Sequence, residues 1–123
     1  MYRRNLFVKR ILCLVSFLLF LAGSVLANSS KSGGATWFNT GLGACGAFSN
    51  NGDNIVALSP VDYAAGLHCF KKINVHHQGK TVTATIVDLC PSCGKSAIDL
   101  SQAAFQTLAS LDLGMIEVTW EYA

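Results

Sequence analysis

The chain has 123 residues, five cysteines and only 13% charged residues, with nine Lys+Arg against seven Asp+Glu and a formal net charge of +2. Four of the nine cations, Arg3, Arg4, Lys9 and Arg10, cluster at the N-terminus. Beyond residue 27, five lysines and no arginine face all seven acids, a formal charge of −2. No basic block or basic-aromatic stripe remains, which excludes a nucleic-acid-binding surface.

Residues 1–27 read as a secretory signal peptide. The four cations form its positive n-region. Ile11 to Ala22 forms an apolar core, shorter than the ~20 residues needed to span a bilayer. Val25-Leu26-Ala27 supplies the cleavage positions. An uncleaved anchor is the alternative; cleavage predicts a secreted product with no membrane segment. Residues 28–32 read as a flexible polar arm. Residues 33–123 suffice for one small domain, a size at which covalent staples help a modest core. Cys13 leaves with the leader. Cys45, Cys69, Cys90 and Cys93 remain, and an even number in an exported chain predicts two disulfides. Four cysteines allow three pairings, and the sequence does not choose among them.

Ala35 to Phe38 reads as a short aromatic strand. Residues 39–46 are punctuated by glycine, and Asn50-Asn51-Gly52-Asp53 is a turn. Ile55 to Leu58 is a short buried strand. Ser59-Pro60 caps a brief helix through Ala65, with Gly66 as its stop. Cys69 to Val75 is a weak strand, turning at Gln78-Gly79-Lys80 into Thr81 to Val87. In that second strand Val82, Ala84 and Ile86 share one face and Thr81, Thr83 and Thr85 the other, so the pair forms a hairpin. Ser101 caps a helix from Gln102 to Ser110. Met115 to Tyr122 closes the chain as a strand with Ile116, Val118 and Trp120 on one face. Many short strands and frequent glycine turns predict a mainly β fold, a small barrel with one or two short helices.

The chemistry concentrates between Asp88 and Ser101, where one carboxylate ends a strand, Cys90-Pro91-Ser92-Cys93 makes a loop, and Asp99 precedes a helix. A carboxyl beside an apolar surface has a raised pKa and can protonate or hydrogen-bond a glycosidic oxygen; the alternative for Asp99 is acceptance of backbone N–H groups near the helix start. The alternative for Asp88 is an Asx-type turn holding the cysteine loop. Trp37, Phe38, Phe48 and Tyr63 are candidates for stacking on sugar rings or for core packing. Zinc ligation through Cys90 and Cys93 with His68, Cys69, His76 or His77 competes with disulfides, which export favours. A thioredoxin-like role needs a βαβ context that is missing. His76-His77 reads as a solvated hairpin tip. No nucleophile has a credible general-base partner. No metal or other cofactor is called for.

Gly34-Ala35-Thr36-Trp37-Phe38, Gly43-Ala44-Cys45-Gly46, Asp88-Leu89-Cys90-Pro91-Ser92-Cys93, Ile98-Asp99-Leu100-Ser101 and Met115-Ile116-Glu117-Val118-Thr119-Trp120 follow one another in an order that resembles the double-psi β-barrel of expansins, barwin-like and rare-lipoprotein-A-like proteins. The short secreted fungal loosenin-like members look most similar. The resemblance covers nearly all of residues 33–122. It implies a six-stranded barrel with an open polysaccharide groove. Asp99 corresponds to the catalytic acid of related family 45 glycoside hydrolases, Asp88 to the aspartate ending the preceding strand, and Thr36 to a threonine of the first strand, with Trp37 beside it as the groove aromatic; Trp120 is expected in the core. Expansins usually carry a tyrosine two residues after the first aspartate, where this chain has Cys90. Their second, β-sandwich domain is not expected here, so anchoring to a wall polymer should be weaker. By analogy with barwin-like chains the pairing is Cys45–Cys90 and Cys69–Cys93.

The resemblance therefore implies a monomeric secreted protein that binds cell-wall polysaccharide, β-glucan or chitin, and loosens it without hydrolysis. The alternatives are a weak endoglucanase or lytic transglycosylase with Asp99 as acid, and a barwin-like protein-binding module such as a protease inhibitor or effector.

Overall fold

The computed structural model describes residues 29–123; the expected leader, residues 1–27, lies outside them. Six strands are present: β1 (Lys31–Phe38), β2 (Ile55–Leu58), β3 (Lys72–His77), β4 (Lys80–Leu89), β5 (Ile98–Ser101) and β6 (Met115–Tyr122). They close into a barrel in the order β1-β5-β2-β4-β3-β6. Two pairs, β1·β5 and β2·β4, are parallel and the other four antiparallel. Closure removes every free sheet edge. The six-stranded, mainly β architecture is the one expected.

Alternation along the strands fills the barrel. Val82, Ala84 and Ile86 of β4 point inward, as do Ile116, Val118 and Trp120 of β6, and they join one core with Ala35, Val56, Leu58, Ile73, Leu100 and Phe105. Full burial of an aliphatic or aromatic side chain of this kind contributes roughly 1.5–3 kcal/mol. Trp120 is wholly buried and its indole N–H donates to Ser96 O at 2.9 Å. Gly33 permits this approach, because a Cβ there would sit 2.5 Å from Ser96 O.

Hydroxyl caps start the helices. Ser59 Oγ accepts from Asp62 N ahead of α1 (Pro60–Tyr63). Ser101 Oγ accepts from Ala104 N ahead of α2 (Gln102–Leu108). Both helices are shorter than expected. Ala64 turns left-handed and ends α1, while Ala109 is extended and Ser110 caps a 3-10 turn over Leu111–Leu113. Gln78 and Gly79 both have positive φ, so β3 and β4 join through a two-residue turn whose twist suits a hairpin.

Several local expectations are corrected. Lys31 and Ser32, expected in the flexible arm, already pair with Trp120 and Thr119. The weak strand at Cys69 starts instead at Lys72, because Phe70 has a φ of +67° and breaks the extended run. His76 and His77 are strand residues rather than a solvated tip. His76 contacts Thr81 Oγ1 (2.7 Å) and Glu121 (2.8 and 2.9 Å) across β3 and its neighbours, and His77 donates to Glu117 O.

The four cysteines form two disulfides, Cys45–Cys69 and Cys90–Cys93. The expected Cys45–Cys90 and Cys69–Cys93 pairing is wrong for a traceable reason. Cys45 N donates to Val87 O and Phe70 N to Ile86 O, so both flanking loops dock on the same part of β4 and their cysteines meet. Cys90 and Cys93 then close a single turn, in which Cys93 N donates to Cys90 O.

Candidate functional site

The site is a row of residues across the outer surface of the barrel. Alternation sends Ile98 and Leu100 of β5 inward and Asp99 outward. In β1 it sends Ala35 inward and Thr36 outward. The parallel register places Thr36 opposite Asp99, and the Thr36 hydroxyl donates to Asp99 Oδ1 at 2.9 Å. Asp99 in turn faces Ala57 of β2, and Ala57 faces Asp88 of β4. Met115 of β6 faces Thr36 and completes the row.

Asp88 reaches this face through a β-bulge. Strict alternation with Val82, Ala84 and Ile86 would aim Asp88 into the core. The register between β2 and β4 shifts after Val56, so Val56 faces Ile86 and Ala57 faces Asp88, with Val87 the extra residue. Asp88 Oδ1 then accepts from Ala44 N and from its own neighbour Leu89 N, both at 2.8 Å. One oxygen thus holds the 41–49 loop, and Oδ2 has no hydrogen-bond partner among the described residues. Asp88 thus anchors the 41–49 loop, not the Cys90–Cys93 loop that an Asx-type turn was expected to hold, and it lies on the same outward face as Asp99.

Asp99 has a different environment. Burial raises its carboxyl pKa above the ordinary value. The Thr36 hydrogen bond pulls it down, and the charge of Asp88 across Ala57 adds a smaller upward push. A depression of about 230 Å³ opens beside it, lined by Thr36, Met115, Ile98 and the Cys90–Cys93 turn. An acid that keeps its proton to higher pH, at the edge of an open depression, is equipped to donate a hydrogen bond or a proton to a bound oxygen.

Trp37 is not brought to this row. It sits one residue from Thr36 and so on the opposite side of β1, packs against the core, and donates its indole N–H to Leu111 O at 2.9 Å. Tyr63 also packs on the core, whereas Phe48 is 82% exposed and faces Leu42 across a bridge in the loop that Asp88 anchors.

Sequence reasoning passed over two residues. Met115 is visible only through the register. Asp62 is buried and accepts from Ser59 Oγ and Ser96 N while lying 3.5 Å from Lys31 Nζ. It ties α1, the 90–97 loop and the start of β1 together. Among the described residues no group of three or more His, Cys, Asp or Glu side chains is assembled to hold a metal, and no helix is long and apolar enough to cross a membrane.

A family profile described as lytic transglycolase, a double-psi β-barrel domain, matches residues 30–120. The chain belongs to this family. The domain is 35% identical over 92 residues, 70% of this chain, to the Allergen Asp f 7 homolog of Arthroderma benhamiae, and spans 32% of that protein's length. It is 45% identical over 51 residues to a papain inhibitor of Streptomyces mobaraensis, 41% of this chain and 36% of that one. The solved Streptomyces papain inhibitor superposes with a TM-score of 0.70 at 29% identity, covering 81% of this chain and 99% of that chain. A Clavibacter michiganensis expansin mutant in complex with cellohexaose gives 0.72 at 24% identity, covering 77% and 50%, a likeness of fold alone.

Proposed function

We propose that this double-psi β-barrel is a secreted cell-wall protein whose outer row, Thr36-Asp99-Ala57-Asp88, holds a β-glucan or chitin chain and disrupts its packing without hydrolysing it. The observation that carries this reading is the convergence of Thr36 and Asp99 on an open depression, with Asp88 two strands away on the same face. The cellohexaose-bound expansin of the same fold supports it. Two disulfides suit an oxidising, extracellular setting, which supports reading residues 1–27 as a cleaved leader. In hydrolysis by two carboxyls, the second must act as nucleophile or base. Asp88 holds the 41–49 loop through Oδ1, lies two strands from Asp99 and does not line the depression, which favours binding.

Pull-down on cellulose, chitin and peptidoglycan tests the reading, alongside a wall-weakening assay and product analysis. Retention on one polymer, lost or weakened about tenfold in Asp99→Asn, is expected, with no soluble sugar released. Failure on all three, or parental behaviour of Asp99→Asn, would sink it. Steady release of products would convert the site to an enzyme with Asp99 as its acid.

A second reading, a protein-binding module acting on a peptidase, is favoured by the likeness to the papain inhibitor over nearly all of that chain. Papain assayed with the parent protein and with Asp99→Asn separates the two. Inhibition untouched by the substitution would place protein binding on another surface.

A further inference from the structure

A second depression of about 640 Å³ lies where β3 begins and β6 ends, and shares no lining residue with the one beside Asp99. His68, Phe70, Lys71, Lys72, Tyr122 and Ala123 line it. Its wall is aromatic. Tyr122 meets Trp120 edge-on with ring centroids 5.7 Å apart and lies 4.8 Å from the His68 ring at 36°. Burial first, and the charge of Asp62 second, push the Tyr122 phenol up, so it remains a neutral hydroxyl.

Phe70 is the unusual residue. It is 56% exposed and has a φ of +67°, a left-handed backbone that is a true outlier for a bulky side chain. The chain is held there by Phe70 N donating to Ile86 O (2.7 Å), by Ile86 N donating to Lys71 O (2.8 Å), and by the neighbouring Cys45–Cys69 bridge. Core packing does not account for an aromatic kept in solvent at this conformational cost.

Charge completes the depression. Lys71 and Lys72 are exposed, and neither forms a salt bridge among the described residues. Ala123 lines the rim beside them, and its N–H donates to Lys72 O. The adjacent acid, Glu121, is engaged by His76. Two ammonium groups thus stand beside an aromatic wall.

We infer that this depression is a second polysaccharide site, one that takes an acidic sugar, a uronate unit of a wall polymer. The rings of Phe70, His68 and Tyr122 face the apolar C–H side of the sugar, and the lysines pair with its carboxylate. The lining beside Asp99 contains a carboxyl and no ammonium group, so the two sites take chains of different charge.

Oligogalacturonate titrated calorimetrically into the secreted protein tests this. Saturable binding that weakens at high salt is expected, about tenfold weaker when Lys71→Gln and Lys72→Gln are combined. Phe70→Gly separates function from structure: glycine relieves the left-handed backbone, so Tm holds or rises, while affinity falls by about threefold or more. Asp99→Asn should bind oligogalacturonate like the parent. The inference is overturned if the parent does not bind, if the double lysine variant or Phe70→Gly binds unchanged, or if Asp99→Asn abolishes binding, which would put the uronate beside Asp99.

Discussion

Asp99 stands in the depression as an acid whose ionisation the folded chain opposes. Its folded pKa lies above the unfolded value of 3.8, with burial the leading cause. The folded state therefore holds this proton more tightly than the unfolded state does. The stability it contributes is fully present below the unfolded pKa and is lost as pH rises through the folded one. Asp99→Asn keeps an acceptor for the Thr36 hydroxyl and has nothing to ionise. Its Tm should exceed the parent's at about pH 7 and converge with it near about pH 3. A difference that stays flat over that range would show that the carboxyl is as well solvated folded as unfolded. Trp37 shows the opposite limit at this scale: one position along a strand separates a residue that lines the depression from a packed one, and the resemblance that placed Trp37 beside Thr36 carried no information about which side of the strand each takes.

β4 is the element that makes the site possible. Its alternating Val82, Ala84 and Ile86 announce a strand with one buried face, and that much was legible. The bulge at Val87 was not, because Ile86-Val87-Asp88 reads locally as more of the same strand; it exists only against the register of β2. The bulge also exposes Val87 O to the 41–49 loop. Gly43 lets that loop approach, since a Cβ there would overlap Val87 O. Gly43→Ala should therefore lift the loop from β4 and cost about 2–4 kcal/mol, read as a lower urea midpoint, with the 41–49 amides exchanging faster. An unchanged midpoint would mean that the loop docks without close backbone contact. Four-residue β5 had no periodic signal of its own, and no strand was expected at Ile98–Ser101; the resemblance implied only that the barrel has six strands.

For the whole molecule, the two disulfides have different duties. Cys45–Cys69 joins loops 24 residues apart in sequence, while Cys90–Cys93 closes a turn of separation three. Loop-closure entropy makes the longer bridge the stronger constraint on the unfolded chain. Replacing Cys45 and Cys69 together by Ser should cost about 3 kcal/mol, a fall in Tm of roughly 12–20 °C for a domain of this size. The Cys90→Ser, Cys93→Ser pair should fall less. Equal losses would show that the short bridge holds more than its own turn.

The sequence by itself determined the parts whose cause is local. Side-chain alternation marked β4 and β6 and, weakly, β3; short aromatic and apolar runs marked β1 and β2; Ser59 and Ser101 marked the helix starts, Gly79 marked the hairpin turn, and the motif around Asp88 and Asp99 marked where the carboxyls lie. Only the tertiary structure decided which cysteines meet, that Asp88 faces outward on the same side as Asp99, that Trp37 faces away, and that Phe70 is held strained beside two lysines. Each of these depends on register or on contacts between residues far apart in the chain. A period-two pattern specifies which face of a strand is buried, but not which strand lies beside it or by how many residues the two are offset.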